Sequence, residues 1–348
     1  MRLRRSVRII LAGLGVGLFA FLVWRVGPWR LAENIHELGW GLLAIFGLGG
    51  VSHVVKTWAW RFTFARQHRM IPFLRMLSIR LAGEAVSQLS FAGQVFGETT
   101  RALMMRSAVP MVSGVSSVVL DRGMYTFTGL LLIVLGALLS LVALQLSETV
   151  QVYDTVVAVG LVGFALLVVV AVRQRWPVLS AAVHALGRVG VMKPWAESKR
   201  ASVREIETII HSFYQQRRRD FWCSFGLNLL GHAHSVMEVY LVLWFLGAEP
   251  AVLAAFFIEV LTKLVNIAGA VIPGNYGAYE GGNMIILHAL GLGAATGLTL
   301  GITRRIRGLA WASVGLTVLL VHGLRQKRVA TVAEISINRH EPNPLVLE

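Results

Sequence analysis

The chain has 348 residues, of which 55% are hydrophobic, and a formal net charge of +15. Its mean hydropathy of +0.65 excludes an ordinary soluble domain. A single cysteine, Cys223, excludes an internal disulfide and a thiolate metal cluster. The basic residues stand in blocks beside apolar runs. The charge therefore predicts attraction to anionic phospholipid at the cytoplasmic membrane surface and no binding of nucleic acid.

Apolar runs suited to crossing about 30 Å of hydrocarbon recur along the whole chain. They lie at 9–26, 38–59, 111–145, 152–172, 220–246, 251–272 and 298–323. The first run follows a basic N-terminus without a small-residue cleavage site, which predicts a retained span rather than a signal peptide. The sequence therefore predicts one all-α, polytopic integral membrane domain over 1–348.

Lysine and arginine indicate which loops face the cytoplasm. They are abundant at 2–8, 61–75, 173–219 and 325–328, and they are absent from 147–154 and 247–250. This distribution predicts a multi-pass protein of the bacterial inner membrane with both termini in the cytoplasm. The segments 72–108 and 251–292 must then enter and leave the membrane on one side. They are predicted to be re-entrant helical hairpins that turn near 91–97 and 272–277.

The two predicted hairpins share a weak repeat. EAVSQLSFAGQVF from Glu84 matches EVLTKLVNIAGAVI from Glu259 with one inserted residue, and RGMYTFT from Arg122 resembles RGLAWAS from Arg307. One span separates the two units, so the second unit is predicted to have the inverted membrane topology, as in many transporters. About six full spans and two re-entrant hairpins are thus predicted as an inverted repeat. The predicted parts are unit one (38–145), a span with a cytoplasmic amphipathic linker (146–219), unit two (220–324) and a cytoplasmic tail (325–348).

The linker contains an amphipathic stretch from Trp195 to Arg219. Its apolar residues are spaced for one face of a helix and its charges lie on the other face. Such a helix either lies on the cytoplasmic membrane surface or packs as a strut between the two units.

Ionisable residues are frequent within the apolar segments, where each costs about 2.5–3.5 kcal/mol. Glu98 and Arg101 are spaced for one helix face. They form either a structural ion pair or a site in which Arg101 binds a phosphate while Glu98 orients it. Lys56, Glu238 and Lys263 are also ionisable residues within apolar segments, and a cluster of such residues indicates a function or mutual pairing.

Asp121 and Arg122 fall early in the apolar run 111–145, and an RRxR pattern falls at the corresponding place in the last run. These arginines either extend to the membrane surface or face inward and bind an anionic headgroup. The pattern consists of Arg304, Arg305 and Arg307.

The stretch VIPGNYGAYEGG (271–282) interrupts a segment that should otherwise be helical. Gly274 and Gly277 permit close backbone approach, and a half-helix that begins near Gly277 would direct its positive end into a cavity. Glu280 either belongs to this site or complements the helix dipole. Pro273 ends the preceding helix.

His232 and His234 are predicted to form a hydrogen-bonded packing cluster with Glu238, which stands four residues after His234. There is no HExxH motif and no nucleophile elbow, so the sequence predicts no metal, no cofactor and no catalytic residue. There is no GxxxxGK[ST] motif either, which favours a gradient or lipid consumption as the driving force.

Several motifs together resemble a known family. They are GEAVSQLSFAGQVFGETTRALMM (83–105), VVLDRGMYTFTG (118–129), HAHSVMEVYLVLWFLG (232–247), VIPGNYGAYEGG (271–282) and TRRIRGLAW (303–311). This set is similar to the flippase-like family that includes the lysylphosphatidylglycerol synthase transmembrane region, nearest to its hopanoid-associated inner-membrane branch.

The resemblance implies a domain that moves a lipid between leaflets, with the two hairpins along the lipid path. The family's motifs fall on Gly97, Glu98, Arg101, Asp121, Arg122, Pro273, Gly274, Gly277, Glu280, Arg304, Arg305 and Arg307. A proline expected near Ser90 is missing. About 24 residues follow the last span, so we expect none of the soluble transferase domain that the synthases append.

We therefore predict a lipid flippase or transporter, not an enzyme, for an anionic or isoprenoid, hopanoid-related lipid. Arginines would hold the headgroup, and carboxylates would orient them or take protons. The predicted binding residues are Glu84, Glu98, Arg101, Asp121, Arg122, His234, Glu259, Gly274, Gly277, Glu280, Arg304, Arg305 and Arg307. The alternatives are a membrane-embedded lipid transferase, using His53, His234 or Glu280, and an ion-coupled solute carrier. Either a monomer or a homo-oligomer fits the sequence.

Overall fold

The computed structural model describes residues 21, 24, 27–90, 93–143, 148–188, 193–269, 272, 275 and 277–338. Every longer regular element in these residues is an α-helix, which confirms the predicted all-α fold. The helices are α1 (Pro28–Leu38), α2 (Gly41–Thr63), α3 (Phe73–Leu89), α4 (Gly93–Met105), α5 (Met111–Ala143), α6 (Glu148–Arg173), α7 (Val178–Gly187), α8 (Lys193–Gln215), α9 (Arg218–Phe245), α10 (Val252–Ala268), α11 (Ala278–Ala289) and α12 (Ala294–Asn338).

Three of the described helices are long and apolar enough to cross a membrane. They are α2, α5 and the Gln151–Arg173 part of α6. Helices α9 and α12 are long enough, with 28 and 45 residues, but they carry more charged side chains. Most of the predicted span 9–26 lies outside the described residues. The total of about six spans and the re-entrant course of the hairpins stay predictions.

Helices α3 and α4 form the first helical hairpin. They pack antiparallel and so closely that a Cβ atom added at Gly97 would overlap the Ser87 hydroxyl and the Gly83 carbonyl oxygen. Small residues at such an interface let two backbones approach each other. Helix α3 ends before Ser90, whose backbone is extended. Helix α4 begins at Gly93, which has a positive φ of 41°. This break lies beside the predicted turn, of which 91–92 are outside the described residues.

Helices α10 and α11 form the second hairpin. The Thr262 hydroxyl donates to Asn283 Oδ1 across it at 2.8 Å, and Val265 packs against Gly282. Gly277 begins α11 with a φ of 75°, a conformation that glycine adopts without strain. The interruption therefore falls where the sequence predicts it.

Helices α2 and α9, which the predicted repeat makes equivalent, run in opposite directions. The start of α2 at Gly41 contacts Phe245 at the end of α9, and Arg217 beside the start of α9 donates to the Phe62 and Thr63 carbonyls at the end of α2. An inverted repeat requires this arrangement. The last helix of each unit also packs on the hairpin of the other unit. Helix α5 of unit one contacts α10 of unit two, and α12 of unit two contacts α3 of unit one.

The linker helix α8 packs against the two units. Phe213 is fully buried and lies in one apolar cluster with Leu120 and Met124 of α5. Phe221 and Phe225 of α9 pack against the same cluster. The C-terminal part of α8 is therefore a strut between the units, as in the second of its two predicted roles.

Two apolar cores lie on either side of the middle of α2. Ile45 joins one core with α9, α10, α11 and α12, and Trp60 joins the other with α3, α4 and α5. Between these residues, α2 carries His53 and Lys56. The polar centre of the protein lies between the two cores.

Candidate functional site

Asp121 of α5 links the first hairpin to the following helix. Its Oδ2 atom accepts hydrogen bonds from Arg101 Nη2 at 2.7 Å and from Arg80 Nη1 at 3.2 Å. Arg101 and Asp121 are only 7% and 4% exposed. The guanidinium of Arg101 also lies 4.1 Å from the ring centroid of Trp60, a favourable cation–π contact. Arg101 is thus a buried cation paired with Asp121 rather than a residue at the membrane surface.

Glu98 pairs with Arg122, not with Arg101. Arg122 Nε lies 3.5 Å from Glu98 Oε1, and the same guanidinium donates to Gln94. The ion-pair alternative for Glu98 and Arg101 therefore does not form, because Arg101 turns toward α5 and meets Asp121. Arg122 keeps 38% of its side chain exposed.

Arg304 is the centre of the ion pairs in unit two. It donates to Glu259 Oε2 at 2.8 Å and lies 3.3 Å from Glu238 Oε2. Tyr279 accepts a further hydrogen bond from it at 3.2 Å, and Lys263 holds the other oxygen of Glu259 at 2.8 Å. Since Arg304 is only 9% exposed, it faces inward, as in the second of the alternatives for these arginines.

The two remaining arginines of α12 also face carboxylates. Arg307 lies 3.0 Å from Glu238 and keeps 29% of its side chain exposed, and Arg305 lies 2.5 Å from Glu280. Glu280 Oε2 accepts the backbone N–H of Gly277 at 2.8 Å. Glu280 therefore caps α11, as in the second of its two predicted roles, and holds Arg305 at the same time.

His234 is separated from Glu238. Its Nδ1 atom donates to the Leu230 carbonyl at 2.7 Å, whereas Glu238 contacts the arginines of α12. The predicted His234–Glu238 cluster is therefore wrong. Pro273 and Gly274 lie outside the described residues.

The charges of the two units meet around Tyr125 of α5. Lys56 Nζ lies 5.2 Å from the Tyr125 ring centroid, and this tyrosine also interacts electrostatically with Lys263 and Glu259 of unit two. His232 of α9 lies 3.2 Å from the Tyr125 carbonyl oxygen. The two clusters are therefore neighbours across the interface between the units.

His53 gives a second connection between the units. It interacts electrostatically with Glu84, Lys56 and Arg80 of unit one and with Arg307 of unit two. Trp311 of α12 packs beside its ring at 5.2 Å. We call these charges, together with the Arg305–Glu280 pair that stands next to Arg304 and Tyr279 in the chain, the central charge network. It comprises Lys56, Arg80, Glu84, Glu98, Arg101, Asp121, Arg122, Glu238, Glu259, Lys263, Glu280, Arg304, Arg305 and Arg307.

A family model described as the lysylphosphatidylglycerol synthase TM region matches residues 6–316. The chain belongs to this family. Membership confirms the family resemblance and indicates a membrane lipid-related function. The assignment to the hopanoid-associated branch stays a prediction. Neither a curated protein nor a solved structure matches the chain.

The central charge network contains residues that the sequence did not identify as candidates. Arg80 and Tyr125 have no predicted role, although Arg80 stands four residues before Glu84 in an apolar segment, a spacing that marks one helix face. Lys56, Glu238 and Lys263 are ionisable residues of apolar segments that only the packing assigns to the network. Tyr125 lies within the motif RGMYTFT, but that pattern gave the tyrosine no role of its own.

Proposed function

We propose that the protein is a lipid flippase, a transporter rather than an enzyme. The headgroup of an anionic lipid would move along the central charge network while the tails stay in the bilayer. One observation carries this proposal. Charged residues from both predicted units lie together between two apolar cores, where each charge is costly unless it is paired.

The network combines fixed charges with accessible ones. Arg101 and Arg304 are buried and held by carboxylates. Arg122 and Arg307 each have a carboxylate partner but keep 38% and 29% of their side chains exposed. A guanidinium offers a planar set of donors that suits phosphate oxygens. In this proposal Arg122 and Arg307, one from each unit, contact the headgroup in turn.

The orientation and the substrate extend this proposal. The basic loops favour the bacterial inner membrane with both termini in the cytoplasm. A connection to hopanoid-related lipids rests on the sequence resemblance alone. An unchanged hopanoid distribution in a strain without this protein would argue against that connection.

The proposal can be tested by leaflet-resolved transport of a fluorescent anionic lipid in liposomes that contain the full chain. We expect Arg122→Gln combined with Arg307→Gln to slow transport at least about tenfold, because hydrogen bonds to charged groups contribute about 1.5–3 kcal/mol each. The matched control is Arg106→Gln combined with Arg218→Gln, two exposed arginines outside the network. Equal transport rates for the wild-type protein, the Arg122/Arg307 double variant and the control double variant would refute the proposed role of the network. Recovery of a chemically altered lipid would instead favour a transferase.

A further inference from the structure

The central charge network contains more basic than acidic side chains. Among the described residues, eight of its members are lysine or arginine and six are aspartate or glutamate, which leaves two positive charges in excess. An uncompensated charge between apolar cores is unfavourable. The excess indicates that an anion completes the network.

Among the described residues, Lys56 is the network cation with no carboxylate oxygen within 4 Å. The other seven basic side chains each have a carboxylate oxygen within 4 Å. Within the described part of the chain, no carboxylate lies within that distance of Lys56. Glu84 interacts with it electrostatically but accepts its hydrogen bond from Gln88 at 3.1 Å. The ammonium group faces the Tyr125 ring instead.

Lys56 also stands where the two units meet. Its side chain lies along Gly231 of α9, where an added Cβ atom would be 3.6 Å from the Lys56 Cε atom. Arg122 lies over the same Tyr125 ring, with its guanidinium carbon 5.6 Å from the centroid. Two cations, both outside the tight buried pairs, therefore share one aromatic side chain.

We infer that Lys56 and Arg122 bind a lipid phosphomonoester. This inference rests on the proposed function and names its substrate class. A phosphomonoester carries about 1.5 to 2 negative charges at neutral pH, which balances the excess of two, whereas a phosphodiester carries one. Lysine binds phosphate as a compact point charge, and the arginine adds directed donors.

The inference is tested by lipid binding to the purified full chain in phosphatidylcholine nanodiscs, without any transport step. The ligands are dioleoyl phosphatidic acid, dioleoyl phosphatidylmethanol and dioleoylglycerol, which share their tails and differ in headgroup charge. Wild-type protein should bind phosphatidic acid at least about tenfold more tightly than phosphatidylmethanol, since one charged hydrogen bond contributes about that factor. Lys56→Gln should abolish this preference. Lys56→Arg and the exposed control Lys199→Gln should keep it.

Equal binding of phosphatidic acid and phosphatidylmethanol by the wild-type protein would overturn the inference, as would a preference that survives Lys56→Gln. If Lys56→Gln does not fold, the wild-type comparison of the two lipids still decides. A different result would be that inorganic phosphate displaces phosphatidic acid from the wild-type protein and fails to bind the Lys56→Gln variant. That result would assign the site to free phosphate rather than to a lipid. Selective binding without transport would instead refute the flippase proposal and leave this site in place.

Discussion

Replacing Asp121 by asparagine tests whether the buried ion pairs are interdependent. The substitution keeps the shape of the side chain but removes the charge that faces Arg101 and Arg80, at 2.7 Å and 3.2 Å. At an effective dielectric constant of about 20, two charges 4 Å apart attract each other by about 4 kcal/mol. Loss of one partner of a buried pair costs about 3–5 kcal/mol, because the other charge stays buried without compensation. We expect the free energy of unfolding to fall by that amount.

The measurement is the free energy of unfolding in bicelles, by steric trapping of the unfolded state. Adding Arg101→Gln to Asp121→Asn removes one uncompensated guanidinium. The double variant should therefore lose less stability than the sum of the single variants, by about 0.5–3 kcal/mol. Asp154→Asn is the matched control, since Asp154 bonds the Ser140 hydroxyl and an amide oxygen can replace it. A loss below about 1 kcal/mol for Asp121→Asn, equal to that of the control, would refute the reasoning.

The other predictions concern the packing that positions the network, and each is checked by the same unfolding measurement. Gly97→Val should cost at least about 1–3 kcal/mol because the new side chain overlaps α3, whereas Gly160→Ala, which meets no neighbouring atom, should not destabilise the protein. Arg217→Ala should cost about 3 kcal/mol or more because carbonyls at the end of α2 lose a charged donor, and the exposed neighbour Arg218→Ala should be nearly neutral. Phe213→Ala should cost about 3–5 kcal/mol, and full stability in this variant would show that α8 is not a strut.

Much of the helical framework could be predicted from the sequence. The predicted hairpin segments 72–108 and 251–292 contain α3 with α4 and α10 with α11, and the run 111–145 contains α5. These predictions succeed because apolar run length, helix periodicity and glycine or proline breaks are properties of neighbouring residues. The antiparallel course of α2 and α9 also agrees with the predicted inversion of the second unit.

The pairing of the charges could not be predicted in the same way. A spacing of three made Glu98 a candidate partner of Arg101, and a spacing of four made Glu238 a candidate partner of His234. The structure instead pairs Glu98 with Arg122, and it pairs Glu238 with Arg304 and Arg307. Local helix geometry allows both the predicted and the observed partners of these carboxylates. Which pair forms depends on how helices from distant segments pack.

The sequence by itself determined that this protein is an all-helical membrane protein with two hairpins and many ionisable residues in apolar segments. Only the tertiary structure decided that Arg80 joins Asp121 and that Lys56 has no carboxylate within 4 Å among the described residues. The physical reason is distance. Hydrophobic periodicity acts between residues a few positions apart, whereas an ion pair needs two atoms within about 4 Å, and in this fold those atoms come from helices that only packing brings together.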